Sequence, residues 1–103
     1  MKGYLLKIIV EFNTKYQGKP IFEYIADVCL QNNISGLSVF KAIEGYGKSK
    51  KIHEHSIFSK NEPISIEIVD VKENIENILP ILQDTLKALN TGIITLEEVE
   101  IIR

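Results

Sequence analysis

Residues 64–89 read ISIEIVDVKENIENILPILQDTLKAL, and the spacing of the apolar residues changes within this stretch. Residues 64–68 alternate isoleucine with a polar residue, which is typical of a β-strand that buries one face. The later apolar residues are three or four positions apart, as on an amphipathic α-helix; they are Ile75, Ile78, Leu79, Leu82, Leu86 and Leu89. We therefore predict a strand that ends near Asp70, which could cap the helix that follows. Pro80 removes a backbone hydrogen bond within that helix and predicts a kink or two abutting helices.

The N-terminal part of the chain has the same order of strand and helix. Residues 4–12 alternate in hydrophobicity and predict the first strand. After a polar loop at residues 13–19, Pro20 suits the first turn of a helix, because its missing N–H is not needed there. The apolar stripe of this helix consists of Ile21, Phe22, Ile25, Val28 and Cys29. The Asn, Asn and Gly within residues 32–36 are typical of its end.

Two further strands complete the pattern. Residues 37–43 alternate in hydrophobicity, and residues 93–102 follow the helix stop signal Asn90-Thr91-Gly92, with a bulge expected at residues 97–98. The resulting order βαββαβ is the ferredoxin-like arrangement, an α+β fold with a four-stranded antiparallel sheet and two helices on one face. We expect residues 1–103 to form this single domain, with an exposed loop at residues 48–61.

The second face of the predicted sheet has no helix to cover it. By the predicted phase of the strands, Leu5, Ile9 and Phe40 lie on this open face. A small domain gains stability when such a partly apolar face is removed from water. The pattern therefore predicts self-association.

The composition excludes several classes of protein. A chain of 103 residues with 45% hydrophobic residues can bury a core without disulfides. The formal net charge of −2 argues against a nucleic-acid partner, because proteins that bind nucleic acids are basic. No apolar run approaches the ~20 residues of a membrane-spanning helix, and the N-terminus lacks the cleavage region of a signal peptide. The single cysteine, Cys29, cannot form an internal disulfide, so we expect a cytoplasmic protein. Its place on the apolar stripe of the first helix predicts a buried structural residue.

Residues 33–53, NISGLSVFKAIEGYGKSKKIH, carry a resemblance to a known family. A Gly-hydrophobic-Ser-Val strand, followed by Gly-aromatic-Gly and a basic run, resembles the second strand and loop entry of the P-II signalling proteins. The opening of the first helix, GKPIFE at residues 18–23, and GIIT at residues 92–95 are similar to an uncharacterised P-II-like branch of bacteria and archaea. The chain resembles this branch over nearly its whole length.

The resemblance implies a homotrimer whose sheets face inward, with ligand clefts between subunits beside the loop at residues 48–61. In nucleotide-binding P-II proteins the matching positions contact an adenine nucleotide (ATP, ADP or AMP); here they are Ser38, Gly45, Tyr46, Gly47, Lys48 and Ser49. The resemblance also implies that the loop acts on a partner protein, such as a membrane transporter or channel. The P-II phosphate loop, a Gly-Asp-Gly-Lys type segment, is replaced by Asn90-Thr91-Gly92, which leaves open whether the small anionic ligand is a nucleotide.

The residues after the second strand also point to an anion. Lys48, Lys50 and Lys51 concentrate positive charge in an acidic protein, and such a cluster attracts phosphate or carboxylate. The alternative is a solvated loop, since lysines are usually exposed. The glycines at positions 45 and 47 allow a ligand to approach the backbone closely, or serve only a turn. Arg103 could reach an anion at a neighbouring subunit's cleft, or lie in a frayed terminus.

Two other functions remain open. A trimeric divalent-metal-binding or tolerance protein would use His53 and His55, on one side of an extended segment, with a third ligand from Glu62 or another subunit. A structural adaptor would bind no small ligand. The sequence has no motif of a hydrolase, kinase or zinc enzyme, so an enzyme is not expected. The preferred prediction is a P-II-like signalling protein that binds a small anionic metabolite and acts through residues 48–61.

Overall fold

The structure, a computed structural model, describes residues 1–42, 45–46, 52–53 and 62–102. Along the chain these form β1 (Lys2–Glu11), β2 (Lys15–Tyr16), β3 (Lys19–Pro20), α1 (Ile21–Gln31), β4 (Ser38–Lys41), β5 (Gly45–Tyr46), β6 (Ile52–His53), β7 (Pro63–Val71), α2 (Lys72–Leu89) and β8 (Ile93–Glu100). Four strands form one antiparallel sheet in the order β4-β7-β1-β8, while β2 pairs with β3 and β5 with β6. The predicted ferredoxin-like α+β fold is confirmed.

The hydrophobic core lies between the sheet and the two helices. The inward-facing residues of β1 and β7 are almost fully buried; they are Leu6, Ile8, Val10, Ile64, Ile66 and Ile68. The helices contribute Ile21, Ile25, Val28 and Cys29 from α1, and Ile75, Ile78, Leu82 and Leu86 from α2. Removing one large aliphatic side chain from water contributes about 1.5–3 kcal/mol. Within the described part of the chain, neither helix is long and apolar enough to cross a membrane.

The opposite face of the sheet is open and partly apolar. Ser65 of β7 pairs with Phe40 on one side and with Ile9 on the other, and Ile9 pairs with Ile93, so one row crosses all four strands. Ile9 is 41% exposed, Phe40 53% and Ile93 60%. Leu5 lies four residues before Ile9 on the same face and is half-buried. The predicted phase of the strands is confirmed.

Helix α2 differs from the prediction at its start and in its middle. It begins at Lys72 after Val71, so Asp70 is not the capping residue. The Asp70 carboxylate instead accepts hydrogen bonds from the Val71 N–H (2.7 Å) and from the side-chain amide of Asn74 (3.0 Å). The helix is continuous through Pro80, so the alternative of two abutting helices is wrong, while the kink stays a prediction. Pro80 is exposed, so its missing hydrogen bond lies on the solvent side of the helix.

Strand β8 pairs with β1 without a bulge. The register is unbroken, and Glu97 and Glu98 each lie opposite a residue of their own on β1. The predicted bulge is therefore wrong. The two glutamates alternate normally, and Glu98 forms an ion pair with Lys72 at the start of α2. The strand ends at Glu100, two residues before the predicted end.

The polar loop predicted at residues 13–19 contains a short hairpin. Its strands β2 and β3 pair in antiparallel fashion. Gln17 and Gly18 connect them with φ angles of 52° and 79°, the left-handed pair typical of a two-residue type I′ turn. Pro20 is the capping residue immediately before α1 and not part of its first turn.

Two boundaries around the basic segment also differ from the prediction. Strand β4 ends at Lys41, short of the predicted end at Ile43. Within residues 48–61, predicted as a loop, Ile52–His53 forms a strand that pairs with Gly45–Tyr46. A short strand pair therefore lies where the sequence indicated only a strand exit and a loop.

Candidate functional site

A cleft of about 420 Å³ opens beside the edge strand β4, and we call it the first cleft. Its lining residues come from the connection between α1 and β4 and from adjacent positions of β4 and β7; they are Ser35, Gly36, Leu37, Ser38, Phe40, Glu67 and Val69. Ser38 and Glu67 lie opposite each other on the two strands. The structure therefore places Ser38, a predicted ligand-binding residue, in a cleft.

The first cleft combines an apolar surface with the polar side chains of Ser35, Ser38 and Glu67. Phe40 and Val69 are both about half exposed. One carboxylate oxygen of Glu67 accepts a hydrogen bond from the Ser65 hydroxyl at 3.1 Å. An aromatic ring, a hydroxyl (Ser38) and a carboxylate suit the base and sugar of a nucleoside, which offer a planar ring and hydrogen-bond donors. The charge of Glu67 disfavours a phosphate at the same place.

One wall of the first cleft is joined to the start of α2 through Asp70. Its Oδ2 accepts hydrogen bonds from the backbone N–H of Ser35 at 3.3 Å and from the Ser35 hydroxyl at 3.4 Å. Burial acts to raise the pKa of Asp70, but hydrogen bonds from Val71, Asn74 and Ser35 outweigh burial and leave this pKa below its usual value. The carboxylate is therefore ionised at neutral pH.

A second cleft, of about 410 Å³, lies at the other edge of the sheet, between the end of α2 and the start of β8. It is lined by Gln83, Leu86, Lys87, Asn90, Thr91, Gly92 and Ile94. Asn90 ends α2 with a φ of 52°, and Gly92 follows with a φ of 88°. A Cβ at Gly92 would lie 2.7 Å from Cγ1 of Val10, so this turn requires glycine. The predicted stop signal is confirmed, and Lys87, in the last turn of α2, lies at this edge.

Most of the predicted ligand-binding residues lie outside the described residues. These are Gly47, Lys48, Ser49, Lys50 and Arg103. For Gly45 and Tyr46 the structure gives the backbone of β5, in which Gly45 lies opposite His53 of β6. Their contacts with a ligand stay predictions.

The alternative metal site is not assembled in the described part of the chain. For His53 the structure gives the backbone alone, and His55 lies outside the described residues. Glu62, the expected third ligand, is buried, and its Oε2 lies 3.4 Å from Nζ of Lys41. Its Oε1 has no hydrogen-bond partner among the described residues. No group of three or more His, Cys, Asp or Glu that could hold a metal ion occurs within those residues.

Cys29 is buried on the core side of α1, as predicted. Burial, followed by the nearby charge of Asp70, raises the pKa of its thiol to about 11. The thiol is therefore protonated at neutral pH and is a poor nucleophile. Its role is to fill the core.

Of the residues that line the first cleft, only Ser38 was among the predicted site residues. The alternation of β7 predicts that Glu67 and Val69 face outward, but it does not indicate that they lie beside Ser38. Asp70 was expected to cap a helix, whereas its contact with Ser35 joins positions that are 35 residues apart. Pairing between distant strands creates this cleft, and no local pattern reports such pairing.

Comparison with known proteins identifies the family. Residues 3–101 match the model of DUF190, described as "Uncharacterized ACR, COG1993". A UPF0166 protein of Aquifex aeolicus (strain VF5) is 36% identical over 104 residues, covering 99% of this chain and 95% of that protein. A UPF0166 protein of Methanocaldococcus jannaschii is 36% identical over 100 residues, covering 95% of this chain and 90% of that protein.

Solved structures share the fold. CPII from Thiomonas intermedia K12, a nitrogen regulatory PII-like protein solved with ADP, AMP and bicarbonate, matches with a TM-score of 0.76 at 20% identity, over 100% of this chain and 91% of that chain. A protein of Thermus thermophilus assigned to the PII-like signalling proteins matches with a TM-score of 0.70 at 17% identity, over 95% of this chain and 87% of that chain. The chain thus has the fold of the PII-like signalling proteins, and it belongs to the DUF190 (UPF0166) family.

Proposed function

We propose that this protein is a cytoplasmic PII-like regulator that binds an adenine nucleotide at clefts between the subunits of a homotrimer. The observation that carries the proposal is the first cleft, where Ser38, Phe40 and Glu67 suit the base and sugar of a nucleoside. CPII, which has the same fold, was solved with ADP and AMP. Because the structural relatives are signalling proteins, we propose a regulator and not an enzyme.

The positions of the two clefts support a site shared between subunits. The first cleft lies at the β4 edge of the sheet and the second at the β8 edge. A single chain cannot bring both edges to one ligand. A head-to-tail contact places the β8 edge of one copy against the β4 edge of the next, and such contacts form a closed ring when the rotation between copies closes, as the proposed homotrimer requires. The same assembly would cover the apolar residues Leu5, Ile9 and Phe40 of the open face.

In this proposal the ligand lies with its two ends in different surroundings. Ser38 and Glu67 bind the sugar and base over Phe40, while the phosphates lie toward the basic residues Lys48 and Lys50. Further contacts are proposed for Gly45, Tyr46, Gly47, Ser49 and Arg103. Lys87, in the second cleft of the neighbouring subunit, would add a positive charge.

The proposed output is carried by residues 48–61. A bound phosphate neutralises the lysines at the start of this segment and shifts the population of its conformations. A partner protein, such as a membrane transporter or channel, would recognise one of these conformations. Binding of a small anion would in this way control an interaction between proteins.

Isothermal titration calorimetry with ATP, ADP, AMP and adenosine tests the proposal. We expect Ser38→Ala to weaken the binding of ADP and of adenosine alike. Lys48→Ala should weaken the binding of ADP by about tenfold, because an ammonium–phosphate contact is lost. Adenosine carries no phosphate, so its affinity should not depend on Lys48. Lys15→Ala, an exposed lysine on β2, is the matched control and should leave both affinities unchanged.

Two results would contradict the proposal. If the folded oligomer releases no heat with any of the four ligands, nucleotide binding is excluded. If Lys48→Ala weakens ADP and adenosine equally, the phosphates lie elsewhere in the site.

A further inference from the structure

Residues 35–37 form the wall of the first cleft against which the ligand would bind, and we infer that Asp70 is a positioning residue whose carboxylate holds residues 35 and 36 of this wall in place. The inference rests on the proposed function, because it gives Asp70 a role at the same site. Asp70 is not among the residues that line the cleft, whereas Ser35 is. Asp70 therefore acts on the ligand through Ser35.

The wall is anchored at both of its ends. On one side, Ile34 is 5% exposed, and its N–H donates a hydrogen bond to the carbonyl of Cys29 at 3.0 Å. On the other side, Ser38 begins β4 and pairs with β7 opposite Glu67. The core thus fixes the position of the residue before the wall, and the sheet fixes the position of the residue after it.

The residues between these anchors are held differently. Leu37 is partly buried and packs against the core. Ser35 and Gly36 are exposed, and a Cβ at Gly36 would meet no atom within 4 Å, so burial does not fix these two residues. The hydrogen bonds that the described structure gives to Ser35 both go to Oδ2 of Asp70. The position of this part of the wall therefore depends on Asp70.

The contacts of Asp70 require a carboxylate. Its Oδ1 accepts hydrogen bonds from the Val71 N–H and the Asn74 amide, on the side of α2, while its Oδ2 accepts both hydrogen bonds from Ser35. A carboxylate accepts through two oxygens, whereas an amide accepts through one and donates through its nitrogen. The single oxygen of an asparagine at this position can accept the hydrogen bonds from the side of α2 or those from Ser35, but not both sets.

The test compares Asp70→Asn with Asn74→Ala. Asn74→Ala removes a hydrogen bond to the same carboxylate but leaves Ser35 untouched, so it is the matched control. Calorimetry gives the affinity for ADP and adenosine, and NMR gives the exchange rate of the Ser35 amide proton, with the amide of Ile8 in the core strand β1 as the reference for global opening.

We expect Asp70→Asn to weaken the binding of ADP and of adenosine by the same factor, about tenfold. Exchange of the Ser35 amide proton should also become about tenfold faster, because hydrogen bonds to a charged acceptor are lost. Exchange at Ile8 should rise by a smaller factor, which reports the loss of global stability alone. Asn74→Ala should change both affinities and the exchange at Ser35 by less than about twofold, because it removes one hydrogen bond on the other side of the carboxylate.

Each contrary outcome has a separate meaning. An unchanged ADP affinity in Asp70→Asn overturns the inference and leaves the proposed function standing, whatever happens to exchange at Ser35. Equal acceleration at Ser35 and Ile8 shows general destabilisation and overturns it as well. A wild-type protein that binds none of the nucleotides overturns the proposed function, and this inference with it.

Discussion

The ammonium nitrogen of Lys41 lies 3.4 Å from Oε2 of Glu62, whose side chain is 2% exposed. The same nitrogen lies 4.5 Å from the centre of the Phe12 ring, and this ring stacks on Phe22 at 5.6 Å. Lys41 and Glu62 flank residues 42–61, the part of the chain that carries most of the proposed phosphate contacts. The ion pair therefore connects the two ends of this segment, and the Phe12 ring packs against the ammonium group of Lys41.

The stability of the fold should depend on this pair. Lys41→Met leaves a buried carboxylate without its cation, so we expect a loss of about 1–3 kcal/mol in the free energy of unfolding. Urea denaturation measures the loss. Lys19→Met is the matched control, because its ion pair with Asp27 is exposed and should contribute little. Equal effects of the two substitutions would contradict a special role for the buried pair.

Assembly should depend on the open face and not on the helical face. Ile9→Glu replaces a side chain whose burial contributes about 1.5–3 kcal/mol by a charge, so we expect the oligomer to dissociate. Leu30→Glu makes the same exchange at a residue of α1 that is 75% exposed and should leave the oligomer intact. Lys50→Glu should also leave assembly intact. Light scattering decides, and an intact trimer in Ile9→Glu would show that this face is not the interface.

Asp70 should make stability depend on pH in acid. Its pKa is lowered in the folded protein, so its contribution is present above the unfolded pKa of about 4 and is lost as the pH falls through the lower folded value. The neighbouring Cys29 thiol, with a pKa of about 11, does not titrate in this range. We expect Asp70→Asn to unfold at a lower temperature than wild type at pH 7. The difference between the two unfolding temperatures should shrink below about pH 4. A difference that is constant with pH would contradict this assignment.

The turn after α2 should not tolerate a side chain. Gly92→Ala places a Cβ at a φ of 88° and 2.7 Å from Cγ1 of Val10, so we expect a loss of about 1–3 kcal/mol in stability. Gly36→Ala is the control, because its Cβ would meet no atom within 4 Å. Urea denaturation of both variants checks the difference. Similar midpoints would show that the turn can rearrange.

The sequence predicted the parts of the fold that depend on local periodicity. The alternation around Ile8 and Ile66 correctly gave the buried face of two strands, since a period of two places every second residue on one side. The stripe from Ile75 to Leu86 gave the buried face of α2 in the same way. The exposure of Ile9 on the open face followed from the same phase.

The errors occur where a local signal competes with tertiary contacts. Glu97 and Glu98 interrupt the apolar pattern and suggested a bulge, but they point to opposite faces of the edge strand β8, and both are exposed, so each face holds one charge in regular pairing. Pro80 suggested a break, but it lies on the exposed side of α2, where the loss of one hydrogen bond is tolerated. Gln17 is an unusual residue for a left-handed turn position, so the hairpin around it was not predicted.

The first cleft was predictable only in part. The family resemblance brought Ser38 into the candidate site, because that position belongs to a motif. Glu67 and Val69 belong to no motif, and their place beside Ser38 depends on the pairing of β4 with β7. Their identification required the register between strands, which a single sequence does not determine.

The location of the two clefts at opposite edges of one sheet has a genetic consequence. In a ring assembled as proposed, Ser38 and Lys87 at any one site belong to different chains. A chain carrying Ser38→Ala keeps an intact second cleft, and a chain carrying Lys87→Ala keeps an intact first cleft. A ring built from one mutant chain alone has no complete site. Every ring that mixes the two chains has one interface at which an intact first cleft meets an intact second cleft. Two defective alleles should therefore complement each other when they are expressed in the same cell.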